Sequence, residues 1–164
     1  MFKKNLILII ASALLLAWQP VYAAAVKVEV GSRDAQPGES VELPITVTKL
    51  DGAGVISMDL GLKYDASILS FSRLDKSGTM LENKGALVYK NSPGTLNIAI
   101  YNVDALKGRG NLLKVSFKVS GQAQPGKTSI AFKKVLFNEG RIKATGKSGT
   151  VKILSPKKPE LPQK

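Results

Sequence analysis

Three aspartates, Asp59, Asp65 and Asp104, stand near the ends of apolar-patterned stretches. Two carboxylates placed across a glycosidic bond could divide general-acid and general-base work between them. Nothing in their spacing pairs them, and each reads as a turn cap or a solvated side chain. The chain has no histidine and no cysteine, which removes the commonest general base, the usual zinc ligands and any thiol nucleophile. The stretch Gly140 to Ser148 outlines a phosphate loop, ending Gly146-Lys147-Ser148. However, five residues rather than four separate its two glycines, and a strand pattern follows instead of a helix. A hairpin turn is expected there. Asp75-Lys76-Ser77-Gly78 opens like a calcium loop, but no spaced ring of oxygen ligands follows. Neither catalysis nor a cofactor or metal is expected.

The chemistry that remains is recognition. From Gly54 to Leu69 the chain reads GVISMDLGLKYDASIL. Ile56, Met58, Leu60, Leu62 and Tyr64 share one parity and face a core, whereas Ser57, Asp59, Gly61 and Lys63 share the other and face outward. Leu96, Ile98 and Ile100 likewise alternate with Asn97, Ala99 and Tyr101, which places the second set outward.

The elements that hold these residues are short strands joined by turns. Val26, Val28 and Val30 alternate in the first. Gln36-Pro37-Gly38-Glu39 is a turn with Pro and Gly at its two central positions. Val41, Leu43, Ile45 and Val47 alternate in the second strand, where Pro44 implies a sheet edge or a bulge. The third is the stretch above. Further strands follow at Leu69 to Leu74, Ala86 to Lys90, Leu96 to Ile100, and Leu113 to Val119. Asn91-Ser92-Pro93-Gly94 and Gln124-Pro125-Gly126 are turns. Ile130 and Phe132 begin an eighth strand, but Val135 and Phe137 have the opposite parity, so a bulge is expected at Lys133-Lys134. Val151 and Ile153 close with a ninth. No 3.6-residue period is sustained, and an all-β sandwich of jelly-roll type is expected.

Residues 1–23 read as a leader. Lys3 and Lys4 precede an apolar run of 13 residues, Leu6 to Trp18, which is too short to span a bilayer comfortably. Val21-Tyr22-Ala23 then offers small residues where a signal peptidase cuts. The expected mature chain, Ala24 to Lys164, has 141 residues, enough for one cored domain at 24–154 and a Pro- and Lys-rich disordered tail at 155–164. It carries no disulfide, is not membrane-spanning, and is expected in the periplasm or the medium. Removing Lys3 and Lys4 from 24 Lys and Arg leaves 22 against 12 acids, a charge of about +10. These charges are scattered and not interleaved with aromatics, so nucleic acid is not an expected partner.

The order of these pieces resembles a cohesin domain, the module that receives dockerins in bacterial cellulosomes. The resemblance runs from about Val26 to Leu154 and rests on Pro37-Gly38-Glu39 with Val41 to Val47, and on Gly54 through Tyr64-Asp65 to Leu69. It continues through Gly94 to Ile100, Gly108 and Gly110 leading into Leu113 to Val119, Gly126 before the eighth strand, and Gly149 to Leu154. It implies a nine-stranded flattened jelly roll, no catalysis, and a partner docking on one sheet face built from strands eight, three, six and five. Asp59 coincides with an aspartate that accepts hydrogen bonds from the dockerin helix in type I members, and Ser57 stands where those members carry an asparagine. Tyr89 falls at a similar contact tyrosine, and Val103 sits near where an acid is often found. The resemblance is to a stand-alone, exported, cohesin-like protein.

The expected partner is therefore a dockerin-like or other exported protein. Ser57, Asp59, Lys63, Tyr89, Asn97 and Tyr101 are the contact candidates, and a link to polysaccharide breakdown is implied. Two alternatives stand beside this reading. One is a carbohydrate-binding module, for which only Tyr89 and Tyr101 are good surface aromatics because Trp18 lies in the leader. The other is an envelope accessory protein held by charge.

Overall fold

The computed structural model describes residues 25–155. The expected leader, residues 1–23, and residues 156–164 of the expected tail lie outside the described residues. The described residues form eleven strands: β1 (Val26–Val30), β2 (Arg33–Ala35), β3 (Ser40–Val47), β4 (Ser57–Lys63), β5 (Leu69–Asp75), β6 (Ala86–Ser92), β7 (Thr95–Tyr101), β8 (Gly110–Val119), β9 (Gly126–Phe137), β10 (Ala144–Lys147) and β11 (Gly149–Ile153). A 3-10 turn, Asn138–Gly140, follows β9. One sheet has the order β10-β1-β3-β8-β5 and the other β2-β11-β9-β4-β7-β6. The fold is an all-β two-sheet sandwich, as the sequence pattern requires. The strands beyond the expected nine are β2 and β10. Both are short, lack apolar alternation, and are held by parallel pairing to β11 and β1 at the sheet margins.

The core lies between the sheets. Leu43, Ile45, Leu60, Leu62, Leu113 and Phe117 are fully buried there, and each contributes about 1.5–3 kcal/mol by leaving water. Tyr64 meets Phe117 edge to face, with ring centroids 4.9 Å apart. The Gln36–Glu39 turn forms as expected. Gly38 has a φ of 81°, and the Glu39 amide donates to the Gln36 carbonyl at 3.0 Å.

Three local expectations are corrected. Pro44 is not at an edge: β3 pairs with β1 on one side and β8 on the other. Its missing N–H falls just past the last β1 pair, where its carbonyl accepts from the Gly31 amide at 2.8 Å, and the bulge follows at Ile45/Thr46. Ile56 is not a core residue but is 38% exposed, while Val55 is buried, because β4 begins only at Ser57. Gly140 to Ser148 is not a hairpin turn: it contains β10, and β10 and β11 belong to different sheets. The β9 bulge lies where the parity break placed it. Gly61 pairs with Lys134 and Leu62 with Phe132, so Lys133 is the extra residue.

Candidate protein-docking face

The outer face of the six-stranded sheet is a grid set by register. In antiparallel strands, residues directly opposite share a face. Ser57 of β4 lies opposite Tyr101 of β7, Asp59 opposite Ala99, Gly61 opposite Asn97, and Lys63 opposite Thr95. On the other side of β4, Asp59 lies opposite Leu136 of β9, Gly61 opposite Lys134, and Lys63 opposite Ala131. β6 adds Ala86 opposite Tyr101, Val88 opposite Ala99, and Lys90 opposite Asn97. The structure therefore brings Ser57, Asp59, Lys63, Asn97 and Tyr101 onto one surface.

Tyr89 is not on that surface. It pairs with Ile98, which is 2% exposed and faces the core. Tyr89 thus points to the inner side of edge strand β6 and packs edge to face on Phe71 of β5, with centroids 5.4 Å apart. There it closes the open side of the sandwich while remaining half exposed. The turn could have revealed this. Gly94 has a φ of 77°, and the reversal is the two-residue loop Pro93-Gly94 between Ser92 and Thr95. Counting back from that pair puts Tyr89 opposite Ile98; a turn placed at Asn91 to Gly94 puts it opposite Leu96, also a core residue, so either count turns it inward.

Asp59 is half exposed, and its carboxylate lies 3.5 Å from the ammonium of Lys134, itself half exposed. The surface around the pair is shallow. Gly61 is buried beneath its neighbours: a Cβ there would stand only 3.0 Å from Lys134 Cβ and 3.3 Å from Asn97 Oδ1. Beside it, Ala99 floors a depression rimmed by Asp59, Val88, Lys90, Asn97 and Lys134. Toward the Ser57–Tyr101 end the surface turns apolar: Val88 is 66% exposed, Tyr101 58% and Val103 89%. Lys63 and Lys90 lie toward the other end. Parity on β4 and β7 identified Ser57, Asp59, Lys63, Asn97 and Tyr101. It missed Lys134 and Leu136, whose orientation depends on how the β9 bulge is resolved.

Asn138 positions the start of β4. Its Oδ1 accepts from the amides of Ile56 and Ser57 at 2.9 and 3.0 Å, and its Nδ2 donates to the Gly54 carbonyl at 2.8 Å. The side chain thus does the work of a neighbouring strand over three residues, with its own backbone at a φ of 46°. The far end of β4 is closed by Asp65. Its carboxylate accepts from the Ser67 hydroxyl at 2.6 Å and the Ser67 amide at 2.9 Å, and these bonds hold it below the usual carboxylate range.

The three aspartates are not assembled. Asp65 follows the Lys63 end of β4, about 20 Å along the chain from Asp59 at strand rise, and Asp104 follows Tyr101 at the opposite end. Among the described residues, no three His, Cys, Asp or Glu gather as a metal site would require.

A family model for the cohesin domain matches residues 26–153. Over 121 residues the chain is 22% identical to a cellulosome-anchoring protein of Acetivibrio thermocellus, covering 65% of this chain and 26% of that one. The chain thus spans about a quarter of that relative's length. Its fold superposes on a type I cohesin of Clostridium thermocellum solved in complex with a dockerin, with TM-score 0.70, 20% identity, and 79% of this chain and 99% of that chain covered. It also superposes on a non-cellulosomal cohesin of the hyperthermophilic archaeon Archaeoglobus fulgidus, with TM-score 0.69, 21% identity, and 80% and 93% covered. Cohesin domains are non-catalytic binding modules, and this chain belongs to the cohesin domain family.

Proposed function

We propose that this protein is an exported receptor module. It binds a dockerin-like protein through the outer face of β9, β4, β7 and β6, in the service of polysaccharide breakdown outside the cell. The observation that carries the reading is where apolar surface is left in water. Among the described residues, five large apolar side chains are exposed, namely Ile56, Val88, Tyr89, Tyr101 and Val103. Val88 and Tyr101 lie on this face, Ile56 and Val103 flank its Ser57–Tyr101 end, and Tyr89 is on the adjoining edge. An apolar centre beside a polar rim suits a protein interface. Solved relatives with dockerins in their complexes support the partner class.

The test is capture from the producing organism's own envelope and medium, with the wild type and Asp59→Arg as paired baits. A dockerin-bearing protein held by the wild type at moderate salt, and reduced at least tenfold by the variant, is the expected result. Equal retention by both baits would remove the function from this face.

A further inference from the structure

The two outer faces treat charge differently. On the five-stranded sheet every acid has a base beside it, and Lys27 and Lys118 are left over. Glu42 lies 3.6 Å from Arg73 and 3.7 Å from Lys114, Asp75 lies 4.0 Å from Lys114, and Glu29 lies 3.2 Å from Lys147. Among the described residues, the Asp59–Lys134 pair stands alone on the six-stranded face, and Lys63 and Lys90 have no acid within 4.0 Å. With Asp59 and Lys134 offsetting each other, the depression over Ala99 keeps the unmatched Lys90 on its rim.

Resting on the reading that this face receives a protein, we propose that the depression takes an acidic side chain of the partner, a glutamate. Its stem lies over Ala99, and its carboxylate lies between Lys90 and Lys134, beside the amide of Asn97. Three features fit that occupant. The floor is small and apolar, which suits a methylene stem. The rim presents ammonium and amide donors, which suit an oxygen anion. The register row Lys90–Asn97–Gly61–Lys134 sets the two lysine backbones about 14 Å apart at ordinary strand spacing, so both long side chains can bend inward to one carboxylate. A cationic anchor would instead have to displace Lys134 from Asp59 while facing Lys63 and Lys90.

The experiment titrates the 15N-labelled protein with two soluble helical peptides that differ only in one central residue, Glu or Gln. The Glu peptide is expected to shift the amides of Gly61, Asn97, Ala99 and Lys134 saturably. The Gln twin should bind about tenfold more weakly, a difference of about 1.4 kcal/mol. The shifts should shrink several-fold on raising salt from about 50 to about 300 mM. Ala99→Leu fills the depression at an exposed position and should abolish them, with its own spectrum reporting that the domain is folded. Lys90→Gln with Lys134→Gln should remove the preference for Glu. Equal response to both peptides overturns the proposal. So do shifts spread over the five-stranded sheet, an unaffected Ala99→Leu, or no shift up to about 20 mM peptide, well above the millimolar Kd of one anchored side chain. A dockerin captured through Asp59 with no preference for Glu would leave the receptor function standing and sink only the acidic anchor.

Discussion

Asn138 carries more of the docking face than any residue on it. Three hydrogen bonds from one side chain hold Gly54, Ile56 and Ser57, and each is worth about 1 kcal/mol net. Asn138→Ala removes them and also places a Cβ-bearing residue without Asn's local hydrogen bonding at positive φ. It is expected to lower unfolding stability by about 3 kcal/mol in a denaturant titration. Asn138→Gly tolerates the φ and isolates the hydrogen-bond loss at about 2 kcal/mol. A change under about 0.5 kcal/mol in both variants would show that β4 begins where it does without this clamp. Nothing in the sequence around Asn138 signals this role, because its partners lie more than eighty residues away. The outward residues of β4 were legible, since Met58, Leu60 and Leu62 set a parity that burial obeys. Tyr89 was not: β6 is exposed along nearly all its length, so polarity alone does not distinguish its two sides.

At the scale of elements, the β9 bulge carries the clearest expectation. Ile130 and Phe132 face inward before it, and Val135 and Phe137 face inward after it. Deleting Lys133 leaves Phe132, Lys134 and Val135 alternating in, out, in, with Gly61–Lys134 and Leu62–Phe132 now successive rungs of a regular ladder. The deletion variant is therefore expected to fold with the same register and to lose no more than about 2 kcal/mol, measured by thermal unfolding. Deleting Val135 instead throws Leu136 and Phe137 to the wrong faces and should abolish the cooperative transition. If both deletions unfold the domain, the bulge is needed for the bend of β9 and not merely for its phase. This break in parity was readable in the sequence. The central place of β3 was not, because a proline demotes a strand only where its missing donor meets a partner, and Pro44 meets the end of β1 instead.

For the whole molecule, the sandwich class followed from turns and alternation spread over the chain. The short strands β2 and β10 escaped because their neighbours, not their own residues, make them strands. The proposed export adds an expectation of its own. Protein recovered from the producing cells should begin at Ala24 by intact mass, and a species retaining Lys3 and Lys4 would refute removal of the leader. Successive strands also alternate between the two sheets at every step except the β6–β7 hairpin. Among the described residues, that hairpin is the one pairing made between strands consecutive in the chain. The parallel partners of β1 and β2 are β10 and β11, the last strands of all. A domain joined this way cannot finish folding while its C-terminal end is still being delivered, and its many non-local pairings place it among slow folders, in milliseconds to seconds. For the proposed export, slow closure would keep the chain threadable through a translocation channel. The sequence has no cysteine, so closing after the proposed translocation would wait for no redox partner.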